Sequence, residues 1–287
     1  MTSTPGSTPP RAEPVRRAAV VTHGRRETIG AALERVQRIA GNHGVELLYA
    51  EDEARKHGVA SGEDEEGRPE LAVVLGGDGT MLRALERFLG TGVPVLGVNF
   101  GRVGFLTSLT PDGLDDGLGR VFRGEYTVSE LPTLDAQTDG GRWTAVNDVV
   151  CTSSSLGRMV LLGWAVGDEH LGEQACDGVI CSTPSGSTAY NLSNGGPVLV
   201  WGLDALAVTF VAPHSLHARP LVVPRGRDVT IRNDTPDVAF TLLVDGHRAQ
   251  EVEPGGEVAI RLGDQKTLLA SLPEVTFFRR YRDTFGS

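Results

Sequence analysis

The rhythm of apolar positions changes once along the chain. In the first part, short continuous apolar runs alternate with stretches of helical period. Residues 18–22, 45–49, 71–75 and 93–98 are runs of strand length bounded by turn residues. Leu71–Leu75 has no polar interruption, which fits a strand buried on both faces of a parallel sheet. Between the runs, Ile29, Ala32, Leu33, Val36, Ile39 and Ala40 recur at helical spacing, with Gly41 as the expected stop. Met81, Leu82, Leu85, Phe88 and Leu89 mark another helical stripe. Residues 51–70 are acidic and contain glycine, predicting a weak helix followed by an exposed loop. This alternation predicts an open, mostly parallel α/β domain over residues 17–125.

From about Tyr126 the helical period fades. Short apolar runs at 160–166, 179–181, 207–212, 221–223, 229–231, 239–244 and 258–262 are separated by Gly, Pro, Asn and Asp. That is the pattern of a β-rich domain, placed at 126–276. The final stretch, 277–287, opens with the amphipathic FFRRY and is expected to return to the first domain. Residues 1–16 are rich in Pro, Ser and Thr and predict a disordered tail.

Composition narrows the functional classes. A chain of 287 residues with 40% apolar and 22% charged residues is long enough for two cores. No apolar run approaches the length of a membrane span. The net charge of −10 opposes general nucleic-acid binding. Three cysteines, Cys151, Cys176 and Cys181, form no CxxC pair and no paired disulfide framework, which fits a reducing cytoplasm. His23, His43, His57 and His170 fall in turns or segments expected to be exposed, and no cluster has transition-metal spacing.

The strongest local feature is the strand at Leu71–Leu75 running into Gly76-Gly77-Asp78-Gly79-Thr80 and then a helix. Ligands of open α/β sheets bind beyond the carboxyl ends of strands. Glycines there remove side chains and permit positive φ, so the amides of Gly76, Gly77, Gly79 and Thr80 can approach phosphate. Asp78 is a carboxylate inside an anion-friendly loop. It can hold Mg²⁺ or accept a proton from an attacking hydroxyl. The plainer alternative is a tight turn with Asp78 or Thr80 as a helix cap. The segment is neither a Walker loop nor GxGxxG.

A second segment, DGVICSTPSGSTAYNLSNGGP at 177–197, is dense in small and hydroxylated residues around Tyr190. Its amides and hydroxyls suit a polar ligand, and the Tyr190 ring suits base stacking. A serine hydrolase is disfavoured, because Ser185-Gly186-Ser187 lacks the Gly-x-Ser-x-Gly elbow.

Taken together these motifs resemble the NAD kinase family. GGDGT matches its catalytic motif, GVNFGRVGFLT at 97–107 its next strand and loop, and Asn147-Asp148 its Asn-Glu pair. The 177–197 segment matches its longest motif, and Pro213-His214, RPLVVP at 219–224 and Val244-Asp245-Gly246 match later elements. The resemblance spans roughly residues 17–280. It implies transfer of the ATP γ-phosphate, or that of polyphosphate, to the 2′-hydroxyl of the adenosine ribose of NAD. Asp78 would be the general base, and Asp78 and Gly79 would lie against the dinucleotide. Arg83 would contact phosphate, and Asn147 and Asp148 the ribose or adenine. Arg158 and Asp177 would contact the dinucleotide. Thr188, Ala189, Tyr190, Asn191, Leu192 and Ser193 would wrap its base.

The resemblance further implies Mg²⁺ brought by ATP, with no metal site supplied by the protein beyond a contact at Asp78. It also implies a site in the cleft between the domains, and a homodimer or homotetramer whose sites draw on neighbouring subunits. Asp148 in place of Glu, Ala175 in place of a large side chain and His247 in place of Gln depart from the family pattern. Alternatives are a kinase of a related nucleotide or a lipid, sharing GGDGT, and a non-catalytic NAD(P) sensor.

Overall fold

The computed structural model describes residues 13–24, 26–59, 61–62, 68–100 and 104–286. Most of the expected N-terminal tail, residues 101–103 of the GVNFGRVGFLT segment and the acidic run at 63–66 lie outside them. The chain divides into two compact units, one comprising Met1–Ser129 with Leu268–Ser287, the other Glu130–Thr267.

The first unit is built from β1 (Arg17–Thr22), α1 (Arg26–His43), β2 (Glu46–Tyr49), α2 (Glu51–His57), β3 (Leu71–Leu75), α3 (Asp78–Arg87), β4 (Val95–Val98) and α4 (Leu114–Phe122). Its strands lie in the order β2-β1-β3-β4, all parallel. Ala18, Val20, Leu71, Val73, Leu75, Leu96 and Val98 from these strands share one core with Leu33, Val36, Leu114, Leu118 and Phe122 from the helices. Unbroken apolar strands are the consequence of burial on both faces. The order reverses between β1 and β3, which puts the carboxyl end of β3 at the topological switch point where such sheets bind ligands.

Two local details differ from the sequence reading. Helix α1 passes through Gly41 and continues to His43. It stops where Gly44 takes φ +66° and Val45 N–H donates to the Ala40 carbonyl at 2.9 Å, because the left-handed residue ends the ladder. His57 is buried rather than exposed. Its Nε2 lies 2.9 Å from Thr22 Oγ1, which itself donates to Glu53 Oε2 at 2.6 Å, so α2 is pinned to the end of β1 by a polar cluster.

The remaining strands are β5 (Thr127–Thr138), β6 (Gly141–Ala145), β7 (Asp148–Ser153), β8 (Val160–Val166), β9 (Glu169–Cys176), β10 (Gly178–Ser182), β11 (Ala205–Val211), β12 (Leu221–Pro224), β13 (Val229–Asn233), β14 (Phe240–Val244), β15 (His247–Val252) and β16 (Glu257–Ser271). A four-residue helix, α5 (Tyr190–Ser193), follows β10, and α6 (Phe277–Phe285) ends the chain. In the second unit one antiparallel sheet has the order β12-β11-β10-β7-β14-β15, and β13 joins β16 to β8 and β9 in another. Their apolar faces meet in a core that includes Val149, Val179, Leu206, Ile231, Phe240 and Ile260. The last residues of β16 belong to the first unit, where Leu269 and Ala270 pair with β4 in parallel. Among the described residues no helix is long and apolar enough to cross a membrane.

Candidate functional site

Strand β3, fully buried along its length, delivers the chain to Gly76. A Cβ on Gly76 would stand 2.5 Å from Thr80 Oγ1, so this position must be bare for the turn to close. Gly77 and Gly79 face open space, and none of the three glycines has positive φ. The positive φ that glycine permits is not used here. Among the described residues no side chain covers the start of α3, whose cap position is Gly77. An uncapped helix N-terminus presents free amides to an anion. The Thr80 side chain is buried against Gly76. Arg83 is exposed, one turn beyond Gly79 on the same helix face.

The carboxylate of Asp78 is fixed by main-chain donors. Phe105 N–H donates to Oδ2 at 2.7 Å and Leu106 N–H to Oδ1 at 3.1 Å. A Cβ on Gly104 would collide with Oδ1, so the loop can close on Asp78 only with glycine there. Behind that loop sits Arg280 of α6, 5% exposed. Its guanidinium donates to the carbonyls of Phe105 and Thr107 and to the hydroxyls of Ser108 and Ser271. Burial brings its pKa down to about 10, so it stays cationic at neutral pH. The sequence reading assigns no role to Gly104, Phe105, Leu106 or Arg280. An arginine inside an aromatic, amphipathic segment is the available signal for the last.

In the second unit the sequence motifs converge on Val146, Asn147 and Asp148. Asp245 sits at φ +49°, ahead of Gly246 at φ +80°, in the tight hairpin between β14 and β15. From there its carboxylate accepts three consecutive amides, of Val146 at 2.6 Å, Asn147 at 2.7 Å and Asp148 at 3.0 Å. Thr183 Oγ1 and Ser185 Oγ donate to the Val146 carbonyl, and a Cβ on Gly186 would collide with the Asn147 carbonyl oxygen. The TPSG loop is thus packed onto the Asn-Asp pair. Among the described residues Asn147 Oδ1 is buried with no hydrogen-bond partner, an acceptor available to a ligand donor. Asp148 is buried, and burial followed by the charge of Asp245 raises its pKa to about 7.

Beyond this packing the loop divides its residues by task. Ser187 and Asn191 are fully buried. The Asn191 amide donates to the carbonyls of Ser187 and Pro197, both at 3.0 Å, and accepts from Thr209 Oγ1 at 2.7 Å. Its side chain shapes the loop and has no face toward solvent. Tyr190 and Ser193 are exposed, and Thr188, Ala189 and Leu192 are half-buried beside them. Arg158 and Asp177 are not brought to this end. Asp177 precedes β10, whereas Thr183 follows it, and Asp148 pairs with Ser182. Five residues of strand separate the two ends by roughly 14 Å. Arg158 is exposed and holds both oxygens of Asp237 at 2.9 Å. Ala175 is half-buried and His247 exposed. Among the described residues, no group of three His, Cys, Asp or Glu side chains could cage a metal ion.

Comparison with known proteins places these features in a family. The ATP-NAD kinase N-terminal domain model matches residues 49–126, and the C-terminal domain model residues 146–272. A curated NAD kinase of Gemmatimonas aurantiaca is 39% identical over 220 residues, covering 75% of this chain and 76% of its own. The crystal structure of yeast NADH kinase complexed with NADH aligns with a TM-score of 0.86 at 22% identity, covering 99% of this chain and 92% of that one, a likeness of fold. An NAD kinase from Archaeoglobus fulgidus in complex with ATP aligns with a TM-score of 0.72 at 25% identity, covering 94% and 97%.

Proposed function

The chain belongs to the NAD kinase family, and from that premise we propose that it moves the γ-phosphate of ATP to the 2′-hydroxyl of the adenosine ribose of NAD, making NADP. One observation carries the assignment of chemistry within it. The Asp78 carboxylate is held by two amides beside an uncovered helix N-terminus. As the 2′-oxygen bonds to the γ-phosphorus, Asp78 takes the hydroxyl proton, the bond from that phosphorus to the bridging oxygen breaks, and ADP leaves. The amides of Gly76 and Thr80 donate to the carbonyls of Val98 and Gly77, so those of residues 77–79 receive the phosphate oxygens, and positioning supplies most of the rate. From the described residues each Asp78 oxygen accepts one amide. A single carboxylate with nucleotide phosphates fits Mg²⁺, which is seldom caged by protein alone. Mg²⁺ bound there would neutralise charge developing on the phosphates.

Gly79 and Arg83 serve the substrate phosphates in this reading. Asn147 and Asp148 receive the adenosine, and Thr188 to Ser193 surround a base with the Tyr190 ring. Exposure of that ring and the unpartnered Asn147 oxygen support the assignment. Asn191 contributes through its backbone alone. Arg158 and Asp177, at the far end of β10, serve the dinucleotide of a neighbouring subunit in a homodimer or homotetramer. Substrates of the cytosol and three buried free thiols support a cytoplasmic location.

The test is incubation with NAD, ATP and Mg²⁺, followed by detection of NADP with an NADP-specific dehydrogenase. NADP is expected. Its absence with ATP, other nucleoside triphosphates and polyphosphate would overturn the reading. Asp78→Asn is expected to fold and to lose roughly 10²–10⁴ in kcat, the typical contribution of a general base. Near-parental turnover in that variant would remove Asp78 from the role.

A further inference from the structure

The carboxylate assigned to proton transfer sits on α3, yet the groups that fix it answer to the other end of the chain. Phe105 and Leu106 donate their amides to Asp78, and neither belongs to a helix or strand. A loop of this kind has no ladder to set the direction of its N–H groups. The α6 helix supplies that constraint in two ways. Arg280 donates to the carbonyl of Phe105 at 3.0 Å, to that of Thr107, and to Ser108 Oγ at 2.8 Å. A further bond, to Ser271 Oγ at 2.8 Å, ties the grip to the end of β16. The Phe105 ring, in turn, lies edge-on to Phe277 with centroids 5.4 Å apart and stacks on Phe285 at 6.0 Å. The residue whose N–H reaches Asp78 is therefore held by its carbonyl and by its side chain, both from α6.

Resting on the reading of Asp78 as general base, we propose that Arg280 is a positioning residue for phosphoryl transfer and that α6 is the brace which aims the Asp78 carboxylate. A guanidinium suits the task. It is a planar fork of five donors that can hold two carbonyls and two hydroxyls at once, which an ammonium cannot match. Its burial also makes the fork rigid, since the neighbours fill the space around it. The brace lies within the first unit, whereas Asn147, Asp148 and residues 188–193, assigned to the adenosine, belong to the second. Loss of the brace therefore acts on turnover and leaves substrate affinity in place.

The experiment uses the full chain in four forms: parent, Arg280→Met, Asp78→Asn and the double variant, with Phe285→Ala as a milder loosening of the same brace. Arg280→Met is expected to lower kcat roughly 10- to 100-fold, the scale of an ångström of misplacement, with KM for NAD and for ATP within about twofold of the parent. Phe285→Ala is expected to lower kcat a few-fold in the same manner. Arg280→Lys should restore part of the loss. In the Asp78→Asn background either brace substitution is expected to cost nothing further in kcat, because the group it aims is gone. Equal losses in the parental and Asp78→Asn backgrounds would overturn the proposal, as would a rise in KM that accounts for the whole effect. Should Arg280→Met fail to fold, Phe285→Ala carries the same cycle to the same decision. Failure of the underlying reading looks different: Asp78→Asn would then turn over like the parent, whatever the brace variants do.

Discussion

Asp148 and Asp245 are neighbours in space with opposite fates. Asp245 commits its charge to three amides. Among the described residues no hydrogen bond reaches the Asp148 carboxylate, and its pKa rises from 3.8 to about 7. The folded state therefore holds a proton that the unfolded chain releases between those values. Stability falls as pH rises from about 4 to about 7, and the penalty is complete above 7. The interval corresponds to on the order of 4 kcal/mol. Asp148→Asn removes the charge at nearly constant shape. It is expected to be more stable than the parent by a few kcal/mol at pH 8 and by little at pH 4, on the scale of that interval. Denaturant midpoints of both proteins at the two pH values check this, and an equal difference at both would refute it. For Asp245 the order of severity is the prediction. Asp245→Ala takes the acceptor from the amides of Val146, Asn147 and Asp148, two of those bonds buried, and puts alanine at φ +49°, so it is expected to cost at least about 3 kcal/mol. Asp245→Asn keeps one acceptor oxygen and tolerates the backbone, so it should cost roughly half as much.

At the scale of the element, the loop between β10 and β11 is a folded piece hung on Asn191. Removing that amide strands the carbonyls of Ser187 and Pro197 and the hydroxyl of Thr209 in the core. Asn191→Ala is expected to lower stability by about 3 kcal/mol and to raise KM for NAD, because Tyr190 adjoins it. Calorimetric melting with initial-rate kinetics measures both, and unchanged melting would contradict the role. This loop also marks the limit of what the sequence carries. Continuous apolar runs such as Leu71–Leu75 announce a buried parallel strand, because burial on both faces leaves no alternation to obscure it. GGDGT announces an uncovered helix start through composition alone. Composition does not state backbone angles, so the absence of positive φ at Gly76, Gly77 and Gly79 is illegible there. A polar residue in a ligand motif reads as a ligand contact, and nothing local tells that Asn191 faces inward. Arg280 is out of reach for another reason. Its carbonyl partners are 175 and 173 residues away, and no local period records a contact of that kind.

For the whole molecule the question is how many chains make one working enzyme. Two observations on the second unit argue for more than one. Leu156 is completely exposed and Leu216 is 89% exposed, with Met159, Leu171, Leu221 and Val222 also open to solvent. Apolar side chains left this bare on one unit suit contact with another protein surface. Arg158 and Asp177 stand at the end of β10 opposite Asp148, too far along the strand to join Asn147 in one small pocket of the same unit. A neighbouring chain offering its Asn147 end to these residues would reconcile the two. Substituting Leu156→Glu and Leu216→Glu together places repelling carboxylates in that contact on a chain already at −10. The double variant is expected to fall to single-chain mass by light scattering and to lose affinity for NAD, while circular dichroism stays that of the parent. The loss should deepen on dilution, because mass action governs any site shared between chains. A parent protein that is active as a single chain at assay concentration would exclude the shared site and return Arg158 to its surface pair with Asp237.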